Sequence, residues 1–358
     1  MTIRGVHQIL AGASRGDAIT NLAIELRTLL RRVMPSEIYA RHVDPSLHGD
    51  VLHLHDYNPP HWRNVLVYHA SIGEPQTHGM LMERREPVVL VYHNLTPARF
   101  FTRWDPAFAD LLQLGRLELA RLRPRVALAL ADSAYNAAEL QEMGYDDVRV
   151  VPPVLDARRL ADVEDHDLTA NHLEKTFSAP IILAIGQLLP HKRPDFLIRA
   201  AHIASTYLGV DAHVVAIGPH RLAAYSEALS RQVRELNLHR FHIVGRVTNS
   251  ELATYLRRAS MFVSASEHEG FCVPLLEAMS FDVPVLARGF AAVPETAGGA
   301  ALLMPPEAGP AFFAEGMAEL LWNAKTADSL RARGRERVST FETIATQTDY
   351  IKALLEVA

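Results

Sequence analysis

Two successive series of short apolar runs, each closed by polar or turn residues and interleaved with segments of helical period, constrain this chain more than any other feature. Most of the runs are apolar throughout instead of alternating, as expected of strands covered by helices on both sheet faces. The pattern predicts parallel α/β architecture. In the first series the strands are read at 3–10, 38–43, 51–55, 64–69, 87–93, 127–132 and 148–151, with helices at 18–32, 106–122 and 135–143. In the second the strands are read at 181–185, 212–217, 241–244, 261–263 and 283–286, with helices at 195–207, 222–236, 249–258, 274–280 and 311–323.

Between the series, residues 156–180 are polar and lack a strong period, with acidic residues at Asp162, Glu164, Asp165 and Asp167; they read as linker and domain entrance. A chain of 358 residues that is 49% hydrophobic has apolar mass for two cores. The expected division is a first domain at 1–170, a second at 171–338, and a terminal segment, 339–358, whose helix at 341–355 packs back on the first domain. Such α/β halves are expected to face each other across a cleft. The formal charge of −5 argues against a dedicated nucleic-acid binder. No apolar run approaches the ~18 residues of a membrane span. The start of the chain lacks the pattern of a signal peptide, and the single cysteine, Cys272, fits a reducing cytoplasm.

The stretch from Ser264 to Met279 carries the most chemistry. It follows an apolar strand, passes a turn at Gly270, and places Pro274 where a first helical residue would sit. The backbone amides of Gly270, Phe271, Cys272, Val273 and Leu275 would then form an anion site suited to a diphosphate. Glu269 precedes the turn and Glu277 lies about one helical turn inside. Ionised carboxylates accept hydrogen bonds only, the capacity that sugar hydroxyls require. Taken on spacing alone, Glu269 could equally balance the helix dipole and Glu277 be a solvated acid.

A second motif runs from the strand at 181–185 through Gly186-Gln187-Leu-Leu-Pro-His-Lys192-Arg193 into a helix. Only four residues are lysine, so one inside a motif is less expected as background. Lys192, with Arg193 beside it, could neutralise a diphosphate leaving group, or could cap the helix entrance. Near the start, Gly12 and Gly16 allow close backbone approach in a strand-to-helix loop, with Asp17 as its N-cap. Three strands end at histidine, His55, His69 and His93, where ligands of open α/β sheets gather. His53 and His55 share a strand face, but no carboxylate or cysteine completes a metal set.

These motifs resemble those of the retaining GT-B glycosyltransferases, the family 4-like group that includes bacterial mannosyl- and glucosyltransferases. The family signature, Glu-x7-Glu, is met by Glu269-Gly-Phe-Cys-Val-Pro-Leu-Leu-Glu277-Ala, with Cys272 in place of the usual second glycine. The likeness continues through 284–287 and 294–298. It implies two Rossmann-like domains, Glu269 at the hydroxyls of the transferred sugar and Glu277 at the nucleotide ribose. Lys192 matches the family's lysine in spacing, whereas Gln187 replaces the arginine that ordinarily assists it, leaving either Arg193 as substitute or a weaker clamp. The loop with Gly12, Gly16 and Asp17 matches the one lying against the donor phosphates. His93, in His-Asn-Leu-Thr-Pro, matches the histidine beside the sugar, with His69 a second choice.

The resemblance implies a retaining hexosyltransferase that takes a nucleotide sugar, GDP-mannose or a UDP-hexose, and a glycan or lipid-linked acceptor, in cell-surface polysaccharide or glycolipid assembly. No metal or other cofactor is expected to be obligatory, since Asp165-His-Asp167 sits in the acidic linker and reads as solvated. The segment 108–125, with its leucines and Arg116, Arg121, Arg123 and Arg125, suits either a packed helix or a peripheral contact with the inner face of the membrane. A nucleotide-sugar 2-epimerase of the same fold, and a silent nucleotide-sugar-binding subunit, are the rival readings.

Overall fold

The computed structural model describes residues 4–58, 63–153, 159–341 and 344–357. The chain divides into two compact units, one formed by Met1–Leu155 with Thr343–Ala358 and the other by Asp156–Glu342. Ile3, residues 156–158 of the expected linker and residues 342–343 of the expected last helix lie outside the described residues.

In the first unit the strands are β1 (Gly5–Ala13), β2 (Ile38–Val43), β3 (Leu52–His53), β4 (Asn64–Ala70), β5 (Val88–Tyr92), β6 (Val126–Ala131) and β7 (Val148–Val150). They form a parallel sheet in the order β3-β2-β1-β4-β5-β6-β7. Its helices are α1 (Ala18–Leu30), α2 (Pro75–Glu83), α3 (Pro106–Leu122) and α4 (Ala134–Glu142). β5 is buried along its whole length, which explains its unbroken apolar sequence, and β4 is as fully buried although it carries Asn64 and His69. β1 runs on to Ala13, so Gly12 belongs to the strand and not to the expected loop, while Gly16 turns the chain at φ 76°. Asp17 does cap α1, accepting from the Thr20 N–H at 2.9 Å.

The second unit opens with α5 (Asp167–Thr176) inside the stretch read as linker. Its buried residue is Leu173, so it shows no apolar stripe in sequence. The strands β8 (Ile181–Ile185), β9 (His213–Ile217), β10 (Phe241–Val244), β11 (Ala259–Ser264), β12 (Val285–Arg288) and β13 (Ala301–Met304) pair in parallel in the order β10-β9-β8-β11-β12-β13. Around them lie α6 (Pro194–Tyr207), α7 (Ala223–Glu235), α8 (Asn249–Arg258), α9 (Val273–Ser280), α10 (Val293–Ala297), α11 (Pro310–Trp322) and α12 (Ala324–Ser339). Asp165 is not the solvated acid expected: it pairs with Arg257 and Arg258 of α8 at 2.7 and 2.8 Å, and those guanidiniums hold its carboxyl below the usual range. The last helix, α13 (Ile344–Leu355), puts fully buried Tyr350 and Leu354 into the first unit's core beside Val6, Leu26, Val67 and Leu128.

Both sheets share one plan. Strand order runs outward in one direction from β1 and in the other from β4, and likewise from β8 and from β11. In such sheets the two loops leaving the carboxyl ends of the central pair diverge to opposite faces and leave a crevice between them, the usual place of a ligand.

Candidate functional site

At the β8/β11 reversal the crevice is framed by close backbone approach. A Cβ on Gly218, just after β9, would lie 1.8 Å from the Gly186 carbonyl oxygen, so only glycine fits, and the Gly186 N–H donates to the Ile217 carbonyl at 2.9 Å. The chain then passes a 3-10 turn at Pro190–Lys192 and enters α6 through Arg193, which holds the left-handed conformation at φ 54°. From β11 the second loop comes back to meet it, with the Glu267 N–H donating to the His191 carbonyl at 2.8 Å. A small pocket here is lined by Gly186, Gln187, Lys192, Pro194, Ser264 and Ser266.

Lys192 and Glu269, 77 positions apart, meet in this crevice. Lys192 Nζ donates to both carboxylate oxygens, at 2.6 and 2.7 Å, and the Glu269 side chain is only 9% exposed. Burial disfavours the ammonium, but the Glu269 carboxylate outweighs it and raises the lysine above its ordinary value. Cys272 is itself buried; that burial, with Glu269 alongside, pushes its thiol well up, so it stays protonated.

Cys272 also caps α9 at φ 77°, ψ 63°, a left-handed conformation that favours glycine. The cysteine therefore keeps the backbone that a glycine there would adopt and adds a thiol. Of the amides expected to face an anion, that of Leu275 is spent on the Cys272 carbonyl at 3.2 Å. Phe271 is buried with its ring edge-on to Phe341 at 5.4 Å, and its carbonyl accepts from the Thr296 hydroxyl. Glu277 lies on α9, where burial alone pushes its carboxyl up to about 7.

Arg193, the expected substitute for the family arginine, already has partners. Arg193 donates to Asp195 at 3.0 and 3.2 Å and to Glu267, which also accepts from Arg288 at 2.9 Å. Arg288 in turn donates to the Ala308 carbonyl and lies 4.1 Å over the Phe196 ring. Arg193 is committed to carboxylates, and Gln187 is neutral.

In the first unit, His93 Nδ1 lies 2.7 Å from Asp132 Oδ2, and its Nε2 lies 2.9 Å from His69 Nδ1. The row continues from His69 Nε2 to Gln8 Oε1 at 2.9 Å, and the Gln8 amide donates to the Ala23 carbonyl. It crosses adjacent strands β6, β5, β4 and β1, and both ring nitrogens of His93 are used within it. Desolvation, with His93 beside it, lowers His69 well below the ordinary imidazole value. Asp132 and Gln8 were not singled out from sequence, although Asp132 closes its strand just as the histidines close theirs. Glu267 and Gly218 were likewise missed, because their roles depend on neighbours in other elements.

The rings of half-buried His53 and exposed His55 stack at 5.3 Å, and no group of three or more His, Cys, Asp or Glu suited to a metal ion occurs among the described residues. On α3, Leu117 is 56% exposed and Arg121 is exposed, while Arg116 pairs with Glu139 at 2.6 Å and Arg125 donates to backbone carbonyls. No helix among the described residues is long and apolar enough to cross a membrane.

Two parallel α/β units with this strand order are the GT-B glycosyltransferase fold. The chain matches the structure of Anabaena Alr3699/HepE, solved with UDP and glucose, with a TM-score of 0.77 at 13% identity, over 99% of this chain and 100% of that one. Residues 169–337 match the family described as glycosyl transferases group 1, and this part of the chain is a domain of that family. Among curated relatives, the 2-deoxystreptamine N-acetyl-D-glucosaminyltransferase of Niallia circulans is 26% identical over 76% of this chain and 71% of its own length. The D-inositol 3-phosphate glycosyltransferase of Kineococcus radiotolerans is 28% identical over 94% of this chain and 77% of its own.

Proposed function

We propose that this glycosyltransferase moves a hexose from a nucleoside diphosphate sugar, GDP-mannose or a UDP-hexose, to a hydroxyl of a glycan or lipid-linked acceptor with retention of configuration. The observation that carries the reading is the Lys192–Glu269 pair at the β8/β11 reversal: one cation for a diphosphate and one acceptor-only group for sugar hydroxyls, side by side. Glycosyltransferase relatives, and a fold neighbour solved with UDP and glucose, support a nucleotide sugar as donor.

Chemically the step requires little covalent help. As the glycosidic bond to the diphosphate lengthens, Lys192 and backbone amides near Gly270 stabilise the departing charge, and the sugar acquires oxocarbenium character while Glu269 holds its hydroxyls. Glu277 receives the ribose hydroxyls. The family resemblance assigns His93 to the transferred sugar and the turn at Gly16 and Asp17 to the donor phosphates. The leaving phosphate takes the acceptor proton on the same face, so no protein base is required, and Lys192 supplies the counter-charge without a metal ion. A polar acceptor made at a membrane would suit a peripheral enzyme, with Leu117 and Arg121 of α3 as its contact. Incubation with labelled nucleotide sugars tests the reading: acceptor-dependent release of nucleoside diphosphate supports transfer, an isomerised sugar supports an epimerase, and binding without turnover a silent subunit.

A further inference from the structure

We infer that Glu269 also competes with the diphosphate for Lys192, so that the site holds an intact nucleotide sugar better than the bare nucleoside diphosphate and thereby expels its product. The inference rests on the function proposed above. An ammonium has three donors, and two of those on Lys192 point at the two oxygens of a single carboxylate. With side-chain exposures of 26% and 9%, water is a poor substitute for either partner, and removing one member of a shielded pair leaves the other uncompensated.

An intact donor replaces both partners: its phosphates take Lys192 and its sugar hydroxyls take Glu269. The bare diphosphate replaces only one. Glu269 is then left unpaired beside an anion, or stays on the ammonium and cancels the charge that would attract the phosphates. Neighbouring groups do not relieve this conflict. Arg193 is held by Asp195 and Glu267, Arg288 by Glu267 and a backbone carbonyl, and Gln187 carries no charge. If the pair is open in one molecule in ten, the affinity for diphosphate falls about tenfold.

The experiment is calorimetric titration of UDP, GDP, UDP-glucose and GDP-mannose into the full-length wild type, Glu269→Gln and Glu269→Asp. The bare diphosphate that wild type binds should bind Glu269→Gln about tenfold more tightly, while the corresponding nucleotide sugar gains nothing or weakens. Glu269→Asp, which retains the charge but shortens its reach, should move in the same direction by a smaller factor and serves if the amide variant does not fold. Diphosphate affinity that is unchanged or lower in the folded variants overturns the inference and leaves the proposed function standing. Failure of wild type to bind any of the four nucleotides overturns both.

Discussion

His93 Nδ1 lies 2.7 Å from Asp132 Oδ2, with both side chains almost wholly buried in the first unit. Because His69 takes the other ring nitrogen, both nitrogens of His93 are engaged, and they tie the segment that follows β5 to its neighbours from β4 and β6. Asp132→Ala should cost about 2 kcal/mol, the scale of a lost hydrogen bond to a charged group. Chemical denaturation would detect this as a lower midpoint at unchanged slope, and a variant as stable as wild type would remove Asp132 from the support of His93. His93→Gln, which can keep both contacts, should retain more transfer activity than His93→Ala.

Removing either member of the Lys192–Glu269 pair should reduce transfer by at least ~100-fold, since each stabilises charge that develops as the sugar departs. Steady-state kinetics on Lys192→Ala and Glu269→Ala, with circular dichroism to verify folding, provide the check. In Glu277→Ala the loss should fall mainly on nucleotide affinity.

Gln187→Arg should tighten nucleoside diphosphate binding by ~1 kcal/mol and steepen its salt dependence, because an ionised donor replaces a neutral amide. Arg193 is already spent on Asp195 and Glu267, so Arg193→Ala should lower the melting temperature more than it weakens diphosphate binding. Titration and thermal melting of the two variants separate these effects.

Glu277 gives a pH signature. Its carboxyl rises from 4.5 to about 7 on folding, so between those values the folded state binds more protons than the unfolded one. Stability contributed by this group is therefore present below pH 4.5 and lost as pH rises through about 7. The ionised form is the better acceptor for ribose hydroxyls, so nucleotide affinity should increase through the same window, with proton release on binding. Calorimetry in buffers of different ionisation enthalpy would measure that release, and Glu277→Gln should abolish it.

The legible parts of this fold are those whose periodicity is set by local burial. β8 is legible at its observed bounds because all five of its residues are apolar, β2 because it opens on buried Ile38, Tyr39 and Ala40, and α3 because Leu112, Leu119 and Leu122 recur on one face. α12 went unread because just four of its sixteen residues are buried, Ala327, Leu330, Gly334 and Val338. α2, with only Thr77 and Leu81 buried, was missed for the same reason. At the site, Lys192, Glu269 and Cys272 stood out by motif and spacing. That Arg193 is occupied could not be read, since it takes Asp195 from one element and Glu267 from another. The His93–Asp132 contact depends on β5 lying beside β6, a pairing set by tertiary structure alone.

The most direct measurement is the anomeric configuration of the product formed from a labelled nucleotide sugar, followed by NMR together with nucleoside diphosphate release, with and without chelator. Transfer through Lys192 and Glu269 predicts acceptor-dependent release, the donor's configuration retained in the product, and initial rates unaffected by chelator. An inverted product, or sugar isomerisation without acceptor, would contradict it.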